Sequence, residues 1–422
     1  TGVLYVLDEP SIGLHPDNIR GLTGVMHDLV ADGNSVVLVD HDAHILSAAD
    51  HIIEMGPGAG EAGGQVVAQG SVEEIVKDKN SKIGPFLSGA PRPPLRPQAA
   101  KGELFAKGAI RLSTGAVHTV KPLEAVFPKG RLIAVTGVSG SGKTTLVLES
   151  LVPALQAQIE GRSLPPHVHA VEAEGIARVK LIDATPIGVN IRSTVATYAG
   201  VHDELRKIFA RTPAAKAAGY KAGDFSYNTG SLRCPVCDGT GSISLDVQFL
   251  PDVDIPCPQC RGARYAQAAQ AVRCPVGGRE YSLPELMAMD VSAALKACAG
   301  MKSVAGKLRV LQELGLGYLT LGEGTPGLSG GEAQRLKLAE EMGRGQADAV
   351  FVFDEPTIGL HPLDVATLVS VFEALIGQGA TVIVVEHDLD LIRSADYIID
   401  MGPGGGEAGG RIVACGGVEE IM

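Results

Sequence analysis

The sequence predicts an α/β fold in which a parallel sheet is encoded twice and one copy is interrupted by a cysteine-bearing insertion. Three observations carry that expectation. Residues 4–10 (LYVLDEP) recur as residues 350–356 (VFVFDEP), and a constant offset of 346 residues also carries 12–16 (IGLHP) onto 358–362, His41-Asp42 onto His387-Asp388 and 55–58 onto 401–404. Roughly half of residues 1–76 are identical to their counterparts in 347–422 without a gap, which means two related domains rather than a small repeated unit. The glycine-rich stretch GVSGSGKT at 137–144 occurs only once. The first copy therefore reads as the tail of a domain whose beginning is missing, and a first residue Thr1 instead of Met agrees with that. Third, four of the seven cysteines fall into two CxxC pairs between the repeats.

Taken in order, residues 3–7 are a short apolar run ending in Asp8-Glu9-Pro10, the profile of a buried parallel strand followed by a loop. A helical stretch at about 17–31, a turn at Asp32-Gly33-Asn34 and a second buried strand at Ser35–Val39 follow. This strand–helix–strand alternation marks an α/β sheet. Residues 50–70 read as a β-hairpin with a glycine-rich connection. Residues 91–100 (PRPPLRPQAA) hold neither helix nor central strand, because proline lacks the N–H donor and fixes its own backbone. They read as an inter-domain linker. The second copy opens with Leu132–Thr136, the glycine-rich loop and a helix from about Lys143 to Ala154, and its sheet resumes at 349–353 and 380–385. The expected organisation is a C-terminal part of a first domain (1–90), a linker (91–107), a second domain in two parts (108–184 and 326–422), and an inserted subdomain (185–325).

Composition is that of an ordinary globular protein, 45% hydrophobic and 20% charged. No apolar run approaches the ~20 residues of a membrane-spanning helix, and no N-terminal stretch has signal-peptide structure, so the cytoplasm is the expected location. The net charge of −12 argues against a surface coated for nucleic acid. Residues 200–280 hold ten Lys/Arg against eight Asp/Glu, a slight local reversal of sign. In that stretch Arg233, Arg261, Arg264 and Arg273 flank the cysteines, as phosphate contacts or as solvated, salt-bridged surface.

Four motifs carry chemistry. Gly137-x4-Gly142-Lys143-Thr144 lies between a strand and a helix, where backbone N–H groups of the loop (Ser139 and Gly140 among them) wrap phosphates and the helix N-terminus adds partial positive charge. Lys143 reaches the β/γ-phosphates of a nucleotide, and the hydroxyl of Thr144 is placed for Mg²⁺. Asp354 ends an apolar strand, the position of the second magnesium anchor in phosphate-loop enzymes. Glu355 follows as a candidate to polarise water, against the plainer reading of a solvated or capping carboxylate, and His387 follows the next strand. Ser329-Gly330-Gly331-Glu332 opens a helix 22 residues before Asp354 and again presents N–H groups to phosphate. Cys234-x2-Cys237-x19-Cys257-x2-Cys260 has the spacing of a four-thiolate structural zinc site, with a redox CxxC as the competing reading. Cys274, Cys298 and Cys415 read as small hydrophobic residues.

Phosphate loop, Ser-Gly-Gly turn and strand-end Asp-Glu together are the signature set of ATP-binding-cassette (ABC) ATPases. With the four-cysteine module, the chain resembles the UvrA family, the damage-recognition ATPases of bacterial nucleotide excision repair. The stretches that carry the resemblance are LYVLDEPSIGLHP, TGVSGSGKTTLV, TPIG…RSTVATYAGV, GDFSYNTGSLRCPVCDGTG, FLPD…CPQCRGARY, LSGGEAQRLKLA and FDEPTIGLHP. The resemblance implies a C-terminal half with two tandem cassettes, a helical signature subdomain, a zinc module, ATP-dependent dimerisation, binding of lesion-containing duplex DNA and handover to UvrB. It implies an ATPase within an excinuclease system, without nuclease residues of its own. Carried over by position, Gly137, Ser139, Gly140, Gly142, Lys143, Thr144 and Thr145 hold ATP, Asp354 holds Mg²⁺, Glu355 is the catalytic base and His387 the γ-phosphate switch. Asp8, Glu9 and His41 take those roles in the first cassette. Ser329, Gly330 and Gly331 close the first cassette's site in a head-to-tail arrangement, and the module around Cys234–Cys260 contacts or senses DNA.

One departure stands out. Where UvrA proteins carry Asp-Gln-x-Pro-Ile-Gly, this chain reads Asp183-Ala184-Thr185-Pro186-Ile187-Gly188. Ala184 has no side-chain group to touch Mg²⁺, which points to a divergent paralogue. The alternative function is accordingly a UvrA-like ATPase for drug self-resistance or efflux. A transporter cassette is disfavoured by the zinc insertion and the lack of a membrane-spanning segment.

Overall fold

The computed structural model describes residues 2–11, 14, 16–57, 63–89, 92–183, 185, 187, 190–245, 253–342, 345–358 and 360–421. Ala184, with its missing amide, lies outside the described residues. The chain divides into two compact units, Thr1–Ala184 with Arg344–Met422, and Thr185–Gly343. Strands follow one another as β1 (Leu4–Asp8), β2 (Ser35–Val39), β3 (Ile52–Gly56), β4 (Gln65–Gly70), β5 (Ala109–Thr114), β6 (Leu123–Pro128), β7 (Leu132–Gly137), β8 (Val168–Glu172) and β9 (Arg178–Ile182). The inserted unit adds β10 (Ser242–Leu245), β11 (Val253–Pro256), β12 (Arg273–Val276) and β13 (Arg279–Ser282), and the first unit resumes with β14 (Ala349–Asp354), β15 (Thr381–Val385), β16 (Tyr397–Gly402) and β17 (Arg411–Gly416).

The first unit is organised by a six-stranded sheet in the order β17-β16-β7-β15-β14-β9. Five of its strands form a parallel array, and β17 returns antiparallel to β16. β7, β14 and β15 are continuous apolar runs because both faces of a parallel sheet are covered. Their side chains pack with Leu146, Val147, Leu151 and Leu155 from the segment after the glycine-rich loop. That segment is π-helical over Thr145–Leu151 and α-helical over Val152–Glu160, longer than the sequence suggested. The antiparallel sheet β6-β5-β8 contributes Ile110, Leu112 and Phe127 to the same core.

The first copy has the same strands in a different setting. β1 pairs with β2 in parallel and β3 with β4 antiparallel, as two separate two-stranded sheets. Their equivalents β15 and β16 are both bonded to β7. One face of the first copy is covered by Ile19, Met26 and Ile45. The other is exposed: Val6 is 67% accessible where Val352 is 0%, and Met55 60% where Met401 is 1%. The expectation that residues 3–7 and 35–39 are buried strands is thus corrected to half-buried. An apolar run reports the capacity to be covered on both faces, and here a covering layer lies on one face only.

The proline-rich stretch is also more than a tether, because its described part is fastened to the second copy. Arg96, only 9% accessible, ion-pairs with Glu373 and with Asp396 (3.0 Å) and donates to the Ser394 carbonyl. The fully buried Asp396 carboxylate accepts further hydrogen bonds from Ala99 N–H and from Leu132 N–H, both 2.8 Å, where β7 begins. Proline suits this strap, since an extended segment bonded mainly through side chains loses little by lacking N–H donors.

The second unit is mainly helical, with two short hairpins, β10–β11 and β12–β13. Helices Val201–Phe209 and Lys302–Glu313 bury Leu205, Phe209, Leu308 and Leu311, and helix Gly330–Glu341 carries the Ser-Gly-Gly turn at its start.

Asp396→Ala removes one partner of a buried ion pair together with two backbone acceptor bonds, and is expected to cost about 3–5 kcal/mol in denaturant unfolding. Asp50, its exposed counterpart in the first copy, is the control. Asp50→Ala is expected to stay within about 0.5 kcal/mol of the wild type.

Candidate nucleotide site and metal centre

β7 delivers the glycine-rich loop at its C-terminal end. Gly137 has φ +137°, and a Cβ there would sit 2.2 Å from the Met401 carbonyl oxygen, so the strand turns into the loop only with glycine. The loop is braced from the β16–β17 connection: Gly406 N–H donates to Gly140 O (3.1 Å) and Gly410 N–H to Ser141 O (2.9 Å). Ser139, Gly140 and Thr144 face solvent, while Thr145 is buried at the start of the π-helical segment. Lys143 is folded back, its Nζ donating to the carbonyls of Gly137 (2.7 Å) and Val138 (3.0 Å). Burial pushes its pKa down, against the pull of Glu355, Asp354 and Asp400.

Asp354 ends β14. Burial first, then the neighbouring charges of Glu355, Asp183 and Glu386, push its pKa up to about 6, with Lys143 opposing. A site where carboxylates raise one another in this way is suited to a hard divalent cation. Asp183, which follows β9 beside β14, was not singled out by sequence as a site residue. The signal lies in the pairing of two distant strands.

Glu355 follows in left-handed backbone (φ 44°), its N–H bonded to Val385 O at 2.9 Å. Its Oε1 lies 3.8 Å from His387 Nδ1. The first copy reproduces this arrangement: Glu9 has φ 44°, its N–H meets Val39 O at 2.7 Å, and its Oε1 lies 3.7 Å from His41 Nδ1. Asp8 precedes it at the end of β1. Left-handed backbone in a non-glycine residue persists only where its surroundings hold it, and here the adjacent strand does so twice.

In the second unit, Ser329 is the N-cap of helix Gly330–Glu341. Its Oγ accepts from Glu332 N–H, and Glu332 Oε2 accepts from Ser329 N–H at 2.7 Å. Tyr318 Oη donates to Glu332 Oε1 at 2.6 Å and steadies that box. The turn with Gly330 and Gly331 is therefore preformed, with N–H groups at the helix start.

The four cysteines converge. Cys234 Sγ lies 3.9 Å from Cys257 Sγ, Cys237 Sγ 3.6 Å from Cys260 Sγ, and all four sulfurs are within 4.8 Å of one another. A zinc–sulfur tetrahedron with bonds of ~2.3 Å has edges near ~3.8 Å, whereas a disulfide needs ~2.05 Å. The set fits zinc. Gly239 makes one knuckle feasible, since a Cβ there would lie 1.8 Å from Tyr227 O, and Gly241 N–H points at Cys237 Sγ (3.3 Å). Neighbouring N–H groups of Cys260 and Gln259 draw Cys257 down to about 7, and burial pushes Cys234 and Cys260 up.

One of the four flanking arginines is buried, two sit in surface ion pairs and one is exposed. Arg264 is buried, donating to Gly239 O and Ile191 O and lying over the Tyr227 ring. Arg233 pairs with Asp238 and Arg273 with Glu285. Arg261 is exposed. The reading of these arginines as phosphate contacts is corrected for Arg264, whose guanidinium braces the knuckle. Local charge density in the sequence carries no information on which way an arginine points.

Comparison with known proteins agrees with this geometry. No family model matches the sequence. The chain is 45% identical over 427 residues to UvrABC system protein A of Thermus thermophilus and 44% identical over 428 residues to that of Bacillus subtilis. Each match covers all of this chain and 44% of the relative. Among solved structures, UvrA2 from Deinococcus radiodurans superposes with a TM-score of 0.88 at 40% identity, over 100% of this chain and 50% of that one. The chain therefore spans about half the length of the curated relatives it matches, and it belongs to the UvrA family, with an ABC-type α/β fold and a four-cysteine module.

Proposed function

We propose that this chain supplies a complete phosphate-loop cassette, half of a second one and a zinc module to a UvrA-type ATPase that recognises distorted duplex DNA in nucleotide excision repair. The observation that supports this most is the grouping of Lys143, Asp354, Glu355 and His387 at the C-terminal ends of β7, β14 and β15, with the Glu–His pair reproduced in the first copy. Ligands of α/β sheets sit at that edge.

In this reading Lys143 leaves the Gly137 and Val138 carbonyls for the β/γ-phosphates, while N–H groups of residues 138–144 wrap them. Thr144 and Asp354 hold Mg²⁺, which neutralises phosphate charge when bound. Glu355 orients and deprotonates the attacking water, with His387 beside it at the γ-phosphate. Ser329, Gly330 and Gly331 present the helix start to a nucleotide held by another cassette in a head-to-tail dimer. The exposed face of β1–β3 accepts a phosphate-loop half-domain like the one that covers β14–β16, because exposed apolar surfaces of this kind mark interaction sites. DNA contact is assigned to the zinc module, with UvrB as the partner to which damaged duplex is passed.

Asp354 tests the nucleotide site. Its raised pKa means that stability falls as pH rises from the ordinary carboxyl range of ~4 to about 6, a cost fully present at pH 7. Asp354→Asn is therefore expected to raise apo stability at pH 7 by about 1 kcal/mol after allowance for solvent screening. The gain shrinks as pH falls below about 6 and is gone only below the ordinary carboxyl pKa of ~3.9. ATPase activity of the complete polypeptide should be lost with the same variant. A destabilised Asp354→Asn protein that still turns over ATP contradicts the assignment.

The zinc assignment is tested by metal analysis together with binding to duplexes with and without a lesion. About one zinc per four-cysteine set is expected. Cys237→Ser should release it and weaken lesion preference while MgATP binding persists. Full lesion preference in a zinc-free protein would refute the role given to the module.

A further inference from the structure

Two carboxylates, one buried and one half-buried, repeat one arrangement at the ends of equivalent strands. Glu386 follows β15 and is 0% accessible. Its Oε1 accepts from Thr357 N–H at 2.9 Å and from the Thr357 hydroxyl, and its Oε2 from the N–H groups of His387 (2.8 Å) and Asp388 (3.0 Å). Asp40, its counterpart 346 residues earlier, accepts from Ser11 N–H (3.2 Å), the Ser11 hydroxyl (2.7 Å), His41 N–H (2.8 Å) and Asp42 N–H (2.9 Å). Glu is replaced by Asp and Thr by Ser, yet all four bonds persist. A buried charge held by neutral donors is costly compared with a neutral side chain of the same shape.

What these bonds connect is specific. Thr357 stands two residues after Glu355, and His387 is the histidine beside it. Glu355 is already tied through its own N–H to Val385 O, the residue before Glu386. The carboxylate thus joins the two backbone segments that carry Glu355 and His387, whose side chains approach to 3.8 Å without a hydrogen bond between them. In the first copy Asp40 joins the segments of Glu9 and His41, at 3.7 Å.

We propose that Glu386, and Asp40 in the first copy, are positioning residues that hold the candidate base and switch histidine in register across the gap between two strand ends. The proposal rests on the hydrolytic reading of Glu355 and His387. Neither carboxylate touches nucleotide in it. Each acts through the loop after the base and the backbone of the histidine, where a displacement of about 1 Å is enough to cost ~10²-fold in rate.

The test is made in the complete polypeptide that contains this chain. Glu386→Gln places an amide NH₂ against N–H donors and breaks about half of the bonds. Its kcat for ATP is expected to fall by at least ~10-fold while the Kd for a fluorescent ATP analogue with Mg²⁺ stays within about 3-fold, the split that marks lost transition-state positioning. The paired exchange Glu386→Asp with Thr357→Ser writes the first copy's pair into the second and is expected to recover most of the rate. An unchanged kcat, a parallel loss of nucleotide binding, or a paired exchange no better than Glu386→Gln overturns the proposal. If the wild type binds no MgATP, the hydrolytic reading itself fails. The geometry is then read from the ring NMR signals of His387, which Glu386→Gln should shift, and unshifted signals overturn it as well.

Discussion

β7 is hydrogen-bonded to β15 on one side and to β16 on the other, and the glycine-rich loop leaves its C-terminal end. One strand thus closes the sheet and places the lysine. Side chains of β14, β15 and β16 that are bare in the first copy are covered in the second by β7 and the helix behind it. Fully burying an aliphatic side chain is worth about 1.5–3 kcal/mol. For the six exposed side chains of β1–β3 (Leu4, Val6, Val37, Val39, Ile53 and Met55), the difference between the copies is on the order of 10 kcal/mol. Cohesion of the sheet and placement of the candidate nucleotide site come from the same contact.

The first copy nevertheless keeps its end of the chemistry in order. Glu9 and Glu355 share the same left-handed backbone, and His41 and His387 lie at nearly the same distance from them. That agreement does not depend on β7. It comes from the parallel pairing of β1 with β2 and of β14 with β15, each of which brings its Asp-Glu and its histidine to one edge. In each copy the parallel strand pair alone brings the Asp-Glu and histidine positions to one edge.

Much of this was legible in the sequence, for identifiable reasons. Strand ends were marked by Asp8, Asp354, His41 and His387, because a charged residue closing an apolar run is a local signal. The cysteine set was legible because the knuckle is short and its spacing encodes its geometry. Exposure of Val6 and Val39 was not legible, since an apolar strand looks the same whether or not its second face is covered. Nor was the docking of Arg96 onto Asp396, 300 residues away in sequence, or the approach of Asp183 to Asp354. Glu386 was hidden by its neighbour: a residue beside a histidine at a strand end reads as part of the loop until its four hydrogen bonds are seen.

Amide hydrogen exchange compares the two copies within one molecule and tests this account most directly. Exchange protection follows the free energy of local opening, so β14, β15 and β16 of this chain should be protected by at least ~10²-fold more than β1, β2 and β3, with the Asp8–Glu9 and Asp354–Glu355 segments divided in the same way. Equal protection of the two copies would contradict the claim that β7 and its helix hold the sheet together.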